Sequence, residues 1–215
     1  VSAMLETTAV EAGVTIRIGA KVAKILVENG RTQGVLLQSG ERVDADIVVS
    51  NADAKTTFID LVGAPQLDAR FCHRVNSVRQ SGDVAKLHFA LNELPAFTGL
   101  PTQQLAQRLI IAPDMRYVEH AFNHSKYGEF SENPVLEMTI PSVSDSSLAP
   151  AGHHVMSVSA TFAPYHLKDD WQQDSRDAFV QRVTETIEQY APGFSASLVA
   201  FQLLTPVDIE DQYNI

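Results

Sequence analysis

The stretch from Gly13 to Asp53 constrains the fold more than any other part of the chain, because turn-forming residues cut it into short β-prone runs in a fixed order. Gly13 follows the apolar-periodic Met4, Leu5, Ala9 and Val10, and a glycine in that place ends a helix by taking positive φ. Beyond it Val14, Ile16 and Ile18 alternate with Thr15 and Arg17, the pattern of a short strand. Residues 22–27 form a second β-branched run that meets Glu28-Asn29-Gly30, a tight-turn signal. Gly34-Val35-Leu36-Leu37 gives the return arm, Ser39-Gly40-Glu41 another turn, and residues 42–45 a further arm. Ile47-Val48-Val49 is apolar throughout, as expected of a strand buried on both faces. It empties into Ser50-Asn51-Ala52-Asp53.

The rest of the chain reads as alternating strands and helices. Asp53 is placed to cap a helix through Phe58, Leu61 and Val62 that stops at Gly63-Ala64-Pro65, and a short helix follows over about residues 67–75. A β-like run spans 83–92, a loop rich in Pro, Gly and Gln 94–106, and a short strand 109–111. Pro113-Asp114 opens a helix through Tyr117 and Ala121, and Val135, Glu137, Thr139 and Pro141 mark a strand. The serine-rich segment 142–152 is a connection. In the strand that follows it, Val155, Ser157, Ser159 and Thr161 alternate with Met156, Val158 and Ala160. Residues 171–190 carry the strongest helix pattern, with Phe179, Val183 and Ile187 four apart and Pro192-Gly193 as the stop. A last strand spans 198–204. No internal repeat interrupts this order.

The motif order resembles the flavoprotein oxidoreductases related to phytoene desaturase, within the wider group that includes amine oxidases. Gly13-Val14, Ile16, Val22, Ile25, Gly30, Gly34-Val35, Gly40-Glu41, Ala45-Asp46 and Val48-Val49-Ser50-Asn51-Ala52 match the stretch that closes the FAD-binding domain in that family. Residues 149–152, Ala163-Pro164-Tyr165, Trp171 and residues 204–210 resemble later landmarks. The resemblance implies an α/β flavoprotein of FAD/NAD(P)-binding type, of which this chain is a mixed α+β part. Residues 1–66 would be the C-terminal part of the FAD-binding domain with its β-hairpin excursion, and residues 67–215 a substrate-type domain of mixed sheet and flanking helices. It implies FAD as cofactor and a hydride taken from a largely apolar small substrate. The GDP-dissociation inhibitors share this architecture, so a non-enzymatic lipid- or protein-binding module is the alternative.

The eleven glycines contain no G-x-G pair and the chain no Gly-Lys-Ser or Gly-Lys-Thr, so the pyrophosphate-binding turn of a dinucleotide site and a P-loop are both missing from it. The chain begins at Val1 inside a helical pattern and ends at Asn214-Ile215 just after an acidic segment. It therefore reads as an internal fragment, expected to be inactive and to lose FAD on its own. Glu6 and Glu11 rule against a targeting peptide at its start. With 26 acidic against 16 basic residues and a net charge of −10, nucleic acid and anionic membrane surfaces are disfavoured as partners. The single Cys72 excludes an internal disulfide and fits the cytoplasm or another reducing compartment. No apolar run approaches the roughly 18 residues of a membrane helix.

The resemblance carries three cofactor-binding residues onto this sequence. The backbone at Val22 would lie against the FAD adenine, and Asn51 and Ala52 would approach the cofactor. Read from the residues alone, Val22 is a strand residue and Asn51-Ala52-Asp53 a strand-to-helix turn with a capping aspartate. No catalytic residue is assigned. His120 and His124 stand four apart on a helix but lack a zinc-protease glutamate, and His153-His154 point to opposite faces of a strand, so no metal site is expected. There is no G-x-S-x-G. Cys72-His73 and the acidic residues 169, 170, 174 and 177 are read as surface and helix-terminal groups.

Overall fold

The computed structural model describes residues 2–213; Val1, Asn214 and Ile215 lie outside the described residues. The chain forms two compact units, Val1–Arg79 and Gln80–Ile215. The helix over Ala69–Asn76 thus goes with the first unit, whereas the sequence grouped residues 67–215.

The first unit opens with α1 (Ser2–Glu11). The Val14 N–H bonds to the Ala9 carbonyl and the Gly13 N–H to the Val10 carbonyl, the paired bonds that close a helix through glycine. A three-stranded antiparallel sheet follows, with β1 (Val22–Glu28), β2 (Arg31–Leu37) and β3 (Arg42–Asp44) in that spatial order. Asn29 and Gly30 both have positive φ, 51° and 74°, the geometry that lets a two-residue loop follow the strand twist. Gly34 is required for a different reason: a Cβ there would fall on the Val43 carbonyl oxygen and crowd the Asp44 backbone. The close approach of β3 to β2 depends on that missing side chain.

Two expected strands of this unit do not form. Residues 14–18 and 47–49 pair with no strand among the described residues, and Ile18, Ile47 and Val49 are 89%, 80% and 90% exposed. Their β-branched side chains favour extended backbone, but a strand exists only when another edge accepts its N–H and C=O groups. Asp53 Oδ1 accepts from the Lys55 and Thr56 N–H groups as expected of a cap. The helix it opens, Lys55–Gly63, has the wider π-type winding instead of α. Its Phe58 meets Phe71 of α2 (Ala69–Asn76) edge to face at 4.9 Å. Asp68 caps α2 by accepting from the Arg70 and Phe71 N–H groups.

The second unit is built on a five-stranded sheet in the order β5 (Leu109–Ile111), β6 (Val135–Thr139), β7 (His154–Thr161), β4 (Val84–Leu91), β8 (Leu198–Leu204). Every pairing in it is antiparallel, which corrects the mixed sheet expected here. Only β6 and β7 are neighbours joined without an α-helix, so connection length alone does not account for the antiparallel order. Strand alternation then separates two faces. Ala85, Leu87, Phe89 and Leu91 of β4, Met156, Val158 and Ala160 of β7, and Leu136 and Met138 of β6 are all at most 1% exposed. They share one core with Phe179, Val180, Val183 and Ile187 of α4 (Gln173–Tyr190). Burying each large side chain contributes about 1.5–3 kcal/mol. Tyr117 and Ala121 of α3 (Met115–Ser125) also face inward, and Tyr117 donates to the Pro134 carbonyl.

Two short helices complete the unit. Phe194 of α5 (Phe194–Ser197) meets Phe89 edge to face at 5.5 Å. The acidic segment after β8 begins α6 (Pro206–Tyr213), whose start is fixed by Asp208. Asp208 accepts from the Thr205 N–H and hydroxyl, and receives a two-pronged bond from Arg176 of α4 at 2.7 and 2.8 Å. Trp171 stacks over Phe130 and donates its indole N–H to the Pro164 carbonyl. Among the described residues no helix is long and apolar enough to cross a membrane.

Candidate functional site

The sheet of the second unit has a second face, and its chemistry differs from the core face. The residues there come from the alternate positions of the same strands: Lys86, His88 and Ala90 on β4, Val155, Ser157 and Ser159 on β7, Ala200 and Gln202 on β8. His88, Ala200 and Gln202 are exposed, and the β7 residues are half-buried. A shallow groove of about 440 Å³ runs along this face, walled by Ala90, Val155, Ala200 and Pro141 with His88, Ser157 and Gln202 in it. Small side chains on three adjacent strands make the hollow, since larger ones would fill it.

Cross-strand register sets the polar order. His88 stands opposite Ser157 on one side and Gln202 on the other, and Lys86 stands opposite Ser159 one step along. The Lys86 Nζ donates to the Ser159 Oγ at 2.8 Å. Partial burial holds the His88 imidazole below its ordinary pKa of 6.5, and the Lys86 ammonium adds to the effect. His88 is therefore uncharged at neutral pH. Apolar walls with an imidazole, an amide and a hydroxyl, and an ammonium one row beyond them, suit an apolar molecule bearing a hydrogen-bonding group.

The three residues singled out for cofactor binding all lie in the first unit. Val22 begins β1 opposite Leu37, half-buried. Asn51 and Ala52 are exposed in the turn ahead of the Lys55–Gly63 helix. Ser50 Oγ and Thr57 Oγ1 lie 2.7 Å apart, and Thr57 also donates to the Ala52 carbonyl, so the turn is held in a fixed shape. The other residues weighed form no larger cluster among the described residues. His120 and His124 lie on α3, while His153 and His154 reach separate partners, the Ala151 carbonyl and the Ser142 hydroxyl. Among the described residues no group of three or more His, Cys, Asp or Glu side chains could hold a metal ion. The Cys72 thiol points to the Ala64 carbonyl at 3.9 Å.

Comparison with known proteins fixes the kind of protein this is. The model of the flavin-containing amine oxidoreductases matches residues 1–205. The chain belongs to that family. Within it, the chain is 33% identical over 98% of its length to the mouse (Mus musculus) pyridine nucleotide-disulfide oxidoreductase domain-containing protein 2. It is 29% identical over 94% of its length to a lycopene-forming phytoene desaturase of Pantoea ananas. These matches cover 38% and 40% of the two relatives, so the chain spans about two fifths of their length. An oxidoreductase from Methanosarcina mazei shares the fold, with a TM-score of 0.63 at 20% identity over 94% of this chain and 40% of that one. The resemblance to phytoene desaturase-related flavoproteins is thereby borne out.

The flavin that the family's description implies has a partial fit to this chain. The Asn51 side chain is exposed on a braced turn and makes no hydrogen bond among the described residues, so its amide is free to donate and accept. Val22 offers strand backbone at the beginning of β1. The pyrophosphate cradle is absent from the sequence, so these residues can make only part of a dinucleotide site. The sheet-face residues Lys86, His88, Ser157, Ser159 and Gln202 were not singled out from the sequence. Their signal was present as polar residues two apart in β4 and β7 and as the single polar residue of β8. That pattern alone cannot tell a functional face from a wet one.

Proposed function

We propose that this flavin-family chain is the substrate-side part of an FAD-dependent oxidoreductase that accepts a hydride from a largely apolar small molecule. The observation that carries the reading is the open sheet face of the second unit, with its groove of about 440 Å³ walled by Ala90, Val155, Ala200 and Pro141. Pockets of this size with apolar walls and a few placed polar groups suit small ligands. When bound, FAD supplies the hydride-accepting chemistry. The chain's own residues do the rest. Ala90, Val155 and Ala200 bind the apolar body and displace water from it. His88, uncharged, and Gln202 orient the substrate by hydrogen bonds. In the first unit Val22, Asn51 and Ala52 hold the cofactor.

The test is the visible absorption spectrum of the full-length protein beside the 215-residue chain, followed by denaturation to release and identify any cofactor. Flavin in the full-length protein, and not in the shorter chain, is the expected result. A colourless, folded full-length protein overturns the reading and leaves a lipid- or protein-binding module.

A further inference from the structure

We infer that the sheet-face groove takes an apolar molecule that ends in an anionic acceptor group, a carboxylate for preference, held just beyond the groove's own lining by Lys86 and Ser159, one row along β4 from His88. The inference rests on the reading of this face as the substrate surface and adds the chemical class of the substrate.

Charge distribution along the face decides it. Lys86 pairs with no carboxylate among the described residues, and of its three N–H donors one goes to Ser159 Oγ. The acid nearest by register is Glu137 of β6, which stands opposite Ser159, and it is engaged by Arg108 at 3.3 Å. A half-buried ammonium with two donors to spare and no countercharge favours an anion that also accepts hydrogen bonds. Ser159 fixes the direction of the ammonium, so the site is shaped before the ligand arrives.

The apolar half lies one register step further on. The row Lys86–Ser159 is followed along β4 by the row Gln202–His88–Ser157, and then by Ala200–Ala90–Val155. Residues two apart on a strand are about 6.6 Å apart, so the apolar row begins about 13 Å from Lys86. A chain of about ten carbons spans that distance from a carboxylate on Lys86. His88, Ser157 and Gln202 stand between the two ends and meet the middle of the molecule. A cationic amine is disfavoured on this face, because its ammonium would meet that of Lys86 with no free carboxylate to offset the repulsion.

The experiment is calorimetric titration of the full-length, flavin-loaded protein with decanoate, decan-1-ol and decylamine, repeated for Lys86→Met, Lys86→Arg and Ala200→Trp. Decanoate is expected to bind the unsubstituted protein most tightly of the three. Lys86→Met weakens decanoate at least tenfold and changes decan-1-ol less than twofold, whereas Lys86→Arg retains decanoate. Ala200→Trp fills the apolar row and weakens decanoate and decan-1-ol alike. Equal binding of decanoate and decan-1-ol, both lost in Ala200→Trp and neither changed in Lys86→Met, overturns the anionic class while keeping the groove as an apolar site. Tighter binding of decylamine than of decanoate also overturns it. Binding of none of the three, or binding that Ala200→Trp leaves unchanged, overturns the groove itself as the substrate surface.

Discussion

Leu87-His88-Phe89 and Ile47-Val48-Val49 are both short β-prone runs, yet one lies in the centre of a sheet and the other in solvent. Leu87 and Phe89 are at most 1% exposed, whereas Ile47 and Val49 are 80% and 90% exposed. The strand β4 has neighbours on both sides, β7 and β8, which take its backbone hydrogen bonds and align its apolar residues on one face. Residues 47–49 have no such neighbours among the described residues. Sequence propensity sets which conformation a segment prefers once a partner is there. It does not supply the partner.

The largest expected effect that tests this contrast is at the buried end. Phe89→Ala removes a ring that is 1% exposed and packed edge to face on Phe194; it is expected to cost about 3–5 kcal/mol in urea unfolding. A loss below about 1 kcal/mol would mean that the core face is not packed as described.

A smaller effect is expected at Asp208, where one carboxylate ties α4 to the start of α6. Burial pushes its pKa up, but the bonds from Arg176 and Thr205 outweigh that and leave it below the usual carboxylate value. A carboxylate held low in the folded state adds stability that is complete above the unfolded pKa, about 4, and fades as pH falls below it. Asp208→Asn should therefore lower the melting temperature at pH 7 and flatten the loss of stability as pH falls below about 4. Thermal melts of both proteins across that range check it; parallel curves would remove Asp208 from the account.

The smallest effect is expected at the exposed run. Ile47→Ser with Val49→Ser should change the stability of this chain by no more than about 0.5 kcal/mol per site, the usual range for surface substitutions. Amide exchange at residues 47–49 should be fast in the same sample, since no strand protects those groups. A loss above about 2 kcal/mol, or slow exchange, would show that the run is covered and would close the gap between the two regions.

Much of the fold was legible because local chemistry writes directly onto it. Asn29-Gly30 forms a tight hairpin turn, and Asp53 and Asp114 each accept N–H groups at the start of a helix. The strand over residues 83–92 and the helix over residues 171–190 appear within a few residues of the expected bounds. The candidate site was less legible. Lys86, His88, Ser157 and Gln202 come from three strands spread over more than a hundred residues of sequence, and no local window contains their arrangement.

What the sequence alone determined about this protein is where most of its turns and caps and several of its strands and helices fall, together with its family membership through the motif order from Gly13 to Ala52. Turns, caps and strand alternation depend on a residue and its near neighbours, so a linear string holds them. Tertiary structure decided the antiparallel order β5-β6-β7-β4-β8, the open polar face opposite the core, and the exposure of residues 14–18 and 47–49. Each of those depends on which distant edge is available to pair and which face is left uncovered. Long-range pairing is a property of the assembled chain.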